Sequence, residues 1–156
     1  MTRAGVAALV VGAAILAART WLVAVTVVGD SMVPTLLPGD RVLMARATLR
    51  RVRRGQLVVF APPRRPLAPG EPPWLVKRVV ALPGDVVPAA VSHLAGARVP
   101  VDRFVVLGDN SARSWDSRRA GYLHADALLG VVLRRMGGRP SAGITTAPAG
   151  SPPPGA

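Results

Sequence analysis

Residues 74–82, Trp-Leu-Val-Lys-Arg-Val-Val-Ala-Leu, have the pattern of a β-strand and run directly into the turn sequence Pro-Gly-Asp at residues 83–85. The run is short, rich in β-branched residues and closed by Pro and Gly, which is typical of a buried strand. Period-two alternation places Leu75, Lys77 and Val79 on one face. A lysine is therefore expected among apolar neighbours, unless its stem lies on that face and its head reaches water.

Five further short runs resemble this one and are separated by Gly and Pro. They are VAVTVV (23–28), DRVLMA (40–45), QLVVF (56–60), FVVLG (104–108) and LLGVVLRR (128–135). Such regular spacing of short strands predicts a mainly β fold. Residues 61–73 contain too many prolines to pair as a strand, and they predict a long hairpin loop.

The N-terminal 20 residues have the composition of a membrane anchor. Residues 4–18 are uncharged and apolar, and Arg19 and Trp21 suit the membrane interface that would follow. A cleaved secretory signal, cut near Ala17 or Ala18, is the alternative. Both interpretations place the remainder at or across a membrane.

Three regions follow from these patterns: an anchor at residues 1–20, a β-rich domain at residues 21–136, and a tail at residues 137–156. The tail consists almost entirely of Gly, Pro, Ala, Ser and Thr. It has too little apolar surface to pack, so we expect it to be disordered.

The charged residues are strongly biased towards arginine. The formal net charge is +12, and among 20 basic residues Lys77 is the single lysine. Arginine keeps its proton in proteins, whereas desolvation favours the neutral form of a lysine, so Lys77 is where an exchangeable proton could be held. With aromatic residues at 4%, base stacking has little support, and the positive charge suits an anionic membrane surface better than nucleic acid.

Metal and thiol chemistry have no support in the composition. The chain contains no cysteine, which excludes thiolate metal sites and cysteine nucleophiles. His93 and His124 stand alone, without a second ligand at metal spacing. We therefore expect no metal and no cofactor.

Two further segments carry hydrogen-bonding side chains at turns. Residues 29–40 (GDSMVPTLLPGD) follow a predicted strand, and Gly29 leaves room beside Ser31 for another backbone. Residues 108–118 (GDNSARSWDSR) place short polar side chains on a turn, where they could hold another side chain in position. Alone, each is also compatible with an ordinary backbone-capping turn.

Four motifs, taken in their order along residues 21–135, resemble those of bacterial type I signal peptidases. They are Ser-Met-x-Pro-Thr-Leu, Lys-Arg-Val-Val, Leu-Pro-Gly-Asp, and Gly-Asp-Asn with Ser-x-Asp-Ser-Arg. The resemblance implies a signal-peptidase-like β catalytic core with one N-terminal transmembrane helix. It also implies a single-pass protein of the cell membrane with its catalytic domain on the extracytoplasmic side, an orientation that the charges flanking the anchor do not decide. The expected partners are precursor proteins and the lipid bilayer, without nucleic acid, and we expect a monomer.

The resemblance also assigns roles to individual residues. It makes Ser31 the nucleophile, with its backbone N–H as an oxyanion donor, and Lys77 the general base. Supporting roles fall to Ser114, which would orient the lysine, to the ion pair of Asp116 with Arg118, and to the turn residues Asp109 and Asn110. The substrate would lie extended beside residues 74–78, with pockets for Ala-x-Ala formed by Gly29, Met32, Leu36, Leu75 and Val76.

The chain departs from the family pattern in three places. Gly29 lies two positions before the nucleophile, where some members carry a serine that supplies a second oxyanion donor. Ser111 occupies the position after Gly-Asp-Asn where an arginine is usual, with Arg113 two positions later. Between 85 and 108 many members insert a second β domain, whereas here residues 88–100 form only a loop. This predicts a minimal catalytic core.

Three alternative functions remain open at this point. A maturation protease dedicated to one precursor, such as that of nickel superoxide dismutase, would be similarly short. A self-cleaving repressor would need a DNA-binding domain before Ser31, where the sequence is membrane-like. A membrane-tethered basic β module would have no catalytic role for Ser31 and Lys77.

Overall fold

The computed structural model describes Gly5, Gly12, residues 21–62 and residues 70–138, and within these ranges the chain is mainly β. The strands are β1 (Leu22–Thr26), β2 (Asp40–Arg46), β3 (Leu57–Phe60), β4 (Leu75–Ala81), β5 (Arg103–Leu107), β6 (Leu123–His124) and β7 (Leu128–Gly138). Besides short 3₁₀ turns, the described ranges contain the four-residue helix α1 (Ser117–Ala120).

The strands form one antiparallel sheet in the order β1-β2-β7-β3-β4-β5-β6. Strand β4 is paired unevenly. Its partner β3 covers Leu75 to Arg78, whereas pairing with β5 begins only at Arg78 opposite Leu107. Among the described residues, the first residues of β4 therefore pair with β3 on one side and have no counterpart in β5 on the other.

All six strands predicted from the sequence are confirmed; five lie within about two residues of their predicted ends, and β7 extends three residues beyond its predicted end. The two-residue strand β6 was missed, because a segment that short shows no periodicity. Strands β3 and β4 are antiparallel neighbours, so residues 61–73 do connect a hairpin. Strand β7 continues through Gly137 and Gly138, where their backbones pair with Arg41 and Asp40 of β2. The sequence pattern assigned these two glycines to the tail, because backbone pairing requires no apolar side chain.

Both faces of the central strands are buried. On β3, Val58 packs in one apolar cluster and the adjacent Val59 in another, as alternation along a strand requires. Phe60 and Phe104 meet edge to face with ring centroids 6.3 Å apart in the first cluster. Lys77 pairs across the sheet with Val58 and is only 2% exposed. The lysine is thus held on a strand with little freedom to move.

No helix in the described residues is long and apolar enough to cross a membrane. The predicted anchor at residues 1–20 lies outside the described residues except for Gly5 and Gly12. The predicted tail also lies outside them after Gly138.

Candidate active site

Ser31 and Lys77 meet although 46 residues separate them in sequence. The Nζ atom of Lys77 lies 2.6 Å from the Oγ atom of Ser31 and also donates to the carbonyl oxygen of Val76 at 3.1 Å. Ser31 is partly exposed, whereas Lys77 is buried. An amine at this distance from a hydroxyl, shielded from water, has the geometry of a general base beside its nucleophile.

The serine lies on a turn that begins where β1 ends. Gly29 has φ +80°, a left-handed conformation that favours glycine. Two backbone hydrogen bonds close the turn, from Val33 N–H to the Asp30 carbonyl (3.1 Å) and from Leu36 N–H to the Met32 carbonyl (2.9 Å). The turn is therefore stabilised in part by its own backbone.

Residues 108–113 hold this turn from the other side. The backbone N–H of Asn110 donates to the Ser31 carbonyl at 3.0 Å, and the Asn110 side-chain amide donates to the Asp30 carbonyl at 3.1 Å. Gly108 makes the closest approach, because a Cβ atom there would lie 2.1 Å from Ser114 Oγ and 2.7 Å from the Ser31 carbonyl oxygen. Only glycine fits such contacts. Sequence reasoning gave Gly108 no role, although the Gly-Asp-Asn motif contained the signal.

Asp116 is a fully buried carboxylate at the centre of the loop. It accepts hydrogen bonds from Gly108 N–H (2.8 Å), from the Ser114 hydroxyl (2.6 Å), and from the N–H, Nε and Nη2 groups of Arg118 (3.1, 3.0 and 2.6 Å). Burial acts to raise the pKa of Asp116, but the hydrogen bonds from Arg118, Gly108 and Ser114 outweigh it and hold that pKa below its usual value. The carboxylate also caps the N-terminus of α1.

This network fixes the orientation of Ser114. The side chain is buried, and its hydroxyl proton is donated to Asp116. Its oxygen lone pairs therefore remain available as acceptors. The predicted pair of Asp116 with Arg118 is present at 2.6 Å.

A second ion pair links three segments around the dyad. Arg78 Nε and Nη2 donate to Asp109 Oδ1 (2.9 Å) and Oδ2 (2.6 Å), and Thr35 Oγ1 donates to Asp109 Oδ2 at 2.5 Å. The hydrogen bond from Arg78 lowers the pKa of Asp109, and the same bond raises the pKa of Arg78. Strand β4, the serine turn and the 108–113 loop are thereby tied together. Sequence reasoning named Asp109 but missed Arg78 and Thr35, although both lie within the quoted motifs.

The departure at Ser111 has a structural counterpart. Ser111 is exposed at the start of a 3₁₀ turn, and Arg113 at its end donates from Nη1 to Asp30 Oδ2 at 2.9 Å. The side chains of this pair are 71% and 41% exposed, so solvent screens it. The arginine that pairs beside the nucleophile in this chain is therefore Arg113.

A cleft opens beside the dyad, between the end of β1 and the start of β4. It is lined by Thr26, Val27, Val28, Ser31, Met32, Glu71, Pro72, Trp74, Leu75, Val76 and Lys77. Three of the five predicted pocket residues, Met32, Leu75 and Val76, are in this lining. Leu36 is instead packed in the core, and Gly29 is exposed at the turn, so both lie outside the lining.

Trp74 was not singled out by sequence reasoning. It lines the cleft. Its indole N–H is buried and has no hydrogen-bond partner among the described residues.

The sequence profile of the family described as signal peptidase, peptidase S26, matches residues 1–95 and 89–136. A probable signal peptidase I-2 of Synechocystis is 30% identical over 139 residues, covering 75% of this chain and 64% of its own length. Signal peptidase I of Leptolyngbya laminosa is 29% identical over 131 residues, covering 69% and 64%. The mitochondrial ATP-independent inner membrane protease subunit 1b of Arabidopsis thaliana is 33% identical over 116 residues, covering 69% and 66%.

This chain thus spans just under two thirds of the length of these relatives. The profile covers the serine turn, β4 and the 108–118 loop, the segments that the structure brings together. The chain belongs to the signal peptidase family, peptidase S26.

Proposed function

We propose that this protein is a membrane-anchored serine endopeptidase that removes signal peptides or leader sequences from exported precursors, cutting after Ala-x-Ala. The observation that carries the proposal is the 2.6 Å approach of the Lys77 amine to the Ser31 hydroxyl at the edge of an open cleft. Family membership supports the same reaction.

In this mechanism Lys77 acts as a neutral amine. Its burial disfavours the ammonium form, so the amine takes the Oγ proton as Ser31 attacks the substrate carbonyl. The resulting lysine ammonium donates that proton to the leaving amine, and a water molecule then hydrolyses the acyl-enzyme. The backbone N–H of Ser31 stabilises the oxyanion. The role proposed for Ser114 is to orient the lysine: its own proton is donated to Asp116, so its oxygen can act only as an acceptor.

The substrate binds as an added β-strand. In the described sheet, the first residues of β4 pair with β3 but not with β5, and β1 is a terminal strand; these two edges flank the cleft. An extended peptide between them gains backbone hydrogen bonds on both sides. Met32, Leu75 and Val76 form an apolar floor that leaves room for small side chains near the scissile bond.

The membrane setting is part of the proposal. Residues 1–20 form a single-pass anchor, and the catalytic domain lies on the extracytoplasmic side. A long domain can be translocated in spite of its positive charge, so the +12 net charge is compatible with this orientation.

The direct test uses the purified full chain and a peptide that carries one Ala-x-Ala sequence. Mass spectrometry should find a single cut after the second alanine. Cleavage elsewhere, or none, would contradict the proposed specificity.

Replacing both His93 and His124 by alanine should leave kcat/KM within about threefold of wild type. His93 is exposed, and His124 is paired with Asp126 (3.0 Å), so neither is required by a Ser/Lys mechanism. A mechanism with a histidine base predicts the opposite. A decrease in kcat/KM of about 10²-fold or more in a folded double variant would contradict the assignment of Lys77 as the general base.

Gly108→Ala should lower kcat/KM by about 10²-fold or more while the sheet remains folded. The added Cβ would overlap Ser114 Oγ and the Ser31 carbonyl, and a shift of about 1 Å in a catalytic group costs on this order. The measurements are peptide cleavage per folded molecule and thermal unfolding.

Gly130→Ala is the matched control, because its Cβ would lie 2.2 Å from the Ala45 carbonyl oxygen in the pairing of β2 with β7. That variant should lose stability but keep the activity of its folded fraction. Equal loss of activity in both variants would show that the effect of Gly108→Ala is one of general packing.

A further inference from the structure

A second groove continues from the catalytic cleft. Its walls are mainly apolar and are formed by Val23, Ala24 and Val25 of β1, Met44 and Arg46 of β2, Val59 of β3, Trp74 and Leu129. We call this groove the apolar trough. Trp74 also lines the catalytic cleft, so the two share a wall and meet at that residue. The trough has a cavity volume of about 190 Å³, which is room for a few side chains and not for a whole ligand molecule.

The outer edge of β1 runs past both spaces. Residues 26–28 border the catalytic cleft, and residues 23–25 border the trough. Strand β1 is the terminal strand of the sheet, so its outer backbone groups have no strand partner within the described sheet. A peptide added to this edge at the dyad would pass Trp74 and continue over the trough. An extended chain rises about 3.3 Å per residue, so roughly three to four further substrate residues would lie beside residues 23–25.

We propose that the apolar trough binds the end of the apolar segment that precedes the cleavage sequence in the precursor. This inference rests on the proposed function. In a secretory signal the apolar stretch lies before the small residues at the cut, whereas no such requirement applies to the sequence after it. A floor of Val, Met, Trp and Leu side chains is complementary to that stretch and not to a polar chain. The trough therefore extends substrate selection beyond the Ala-x-Ala positions.

The test compares two peptides of equal length that carry the same Ala-x-Ala cleavage sequence. One has four leucines immediately before that sequence, and the other has four serines. Wild-type full-length protein should cleave the leucine peptide with a kcat/KM about tenfold higher or more, the order expected from burying apolar side chains.

Leu129→Ser, a change in the half-buried trough wall, should abolish this preference and leave kcat/KM for the serine peptide unchanged within about twofold. Val23→Ser, on the β1 wall, provides a second variant if the first does not fold. Leu133→Ser is the matched control, because Leu133 lies on the same strand as Leu129, is 56% exposed and is outside the trough. It should retain the wild-type preference.

The inference is wrong if Leu129→Ser and Val23→Ser keep the preference for leucine, or if they slow cleavage of both peptides equally. It is also wrong if they leave cleavage unchanged and instead weaken retention on phosphatidylcholine vesicles, since the trough would then contact lipid. Failure of wild type to cleave either peptide would refute the proposed function, and the subsite with it. Cleavage of both peptides by wild type without preference would refute the subsite alone.

Discussion

Replacing Ser31 by alanine or Lys77 by methionine is expected to lower kcat/KM by about 10⁴-fold or more. The two side chains act as one unit across a 2.6 Å contact, and removing either member of such a unit costs nearly as much as removing both. The double variant should therefore be no slower than the slower single variant. The measurement is single-turnover cleavage of an Ala-x-Ala peptide, followed by mass spectrometry.

Lys77→Arg separates the two roles that a cation at this position could have. The guanidinium keeps a positive charge but cannot give up its proton, so it cannot act as the base. We expect this variant to be as inactive as Lys77→Met. Substantial turnover by Lys77→Arg would show that the charge, and not proton transfer, is what the reaction needs.

The fold should survive these substitutions. Lys77 is buried in a strand covered on both faces, and methionine fills a similar volume without the cost of burying an amine. Lys77→Met should thus unfold at the wild-type temperature or above it. A large loss of stability would mean that the lysine also has a structural role.

Asp116→Ala is expected to have the largest effect on stability, about 3–5 kcal/mol. The carboxylate is fully buried, and its removal leaves the Arg118 guanidinium, Gly108 N–H and the Ser114 hydroxyl without their acceptor. Activity should fall as well, because Ser114 would lose its fixed orientation beside the dyad. Chemical unfolding monitored by circular dichroism measures the first effect, and peptide cleavage the second.

The exposed pair of Arg113 with Asp30 is the matched control. Both side chains are solvent-accessible, so Arg113→Ala should cost less than about 1 kcal/mol. Equal destabilisation by the two substitutions would contradict the importance of burial at Asp116.

The lowered pKa of Asp116 also sets the response to acid. A carboxylate whose pKa in the folded state is below its unfolded value of about 3.9 stabilises the fold above that value. This contribution is lost as the pH falls below about 4 and through the folded pKa. Wild type should therefore lose stability on acidification in this range, and Asp116→Asn should lose less over the same range.

The strands could be predicted from the sequence because each is a compact apolar run between turn residues. The same pattern placed Lys77 between apolar neighbours at 75 and 79 on a period of two, but it left open whether the amine reaches water. Family resemblance was needed to connect Ser31 with Lys77, because no local pattern relates two residues 46 positions apart. Their contact depends on the register between β3 and β4 and on the turn after β1.

What could not be predicted were the contacts between the three motif segments. The fit of Gly108 against Ser31 and the bidentate pair of Arg78 with Asp109 arise from tertiary packing, which leaves no periodic signal in the chain. The same applies to Leu36, expected in the pocket but packed in the core, since a turn hides which way its side chains face. Trp74 was missed because its position between two grooves depends on strands far apart in sequence.

The dependence of the Ser31 turn on residues 108–118 has a consequence for the chain as it is synthesised. The nucleophile and the base are both synthesised before the backbone donor of Asn110 and the carboxylate of Asp116. Strand β2 can pair with β1 at once, but its second partner, β7, is synthesised much later. Such distant pairings form late because the intervening chain must first be closed into a loop. A nascent chain that ends before residue 108 therefore carries both reactive groups without the segment that holds them in register. Peptidase activity is therefore expected only after residues 108–118 have been synthesised and packed against the serine turn.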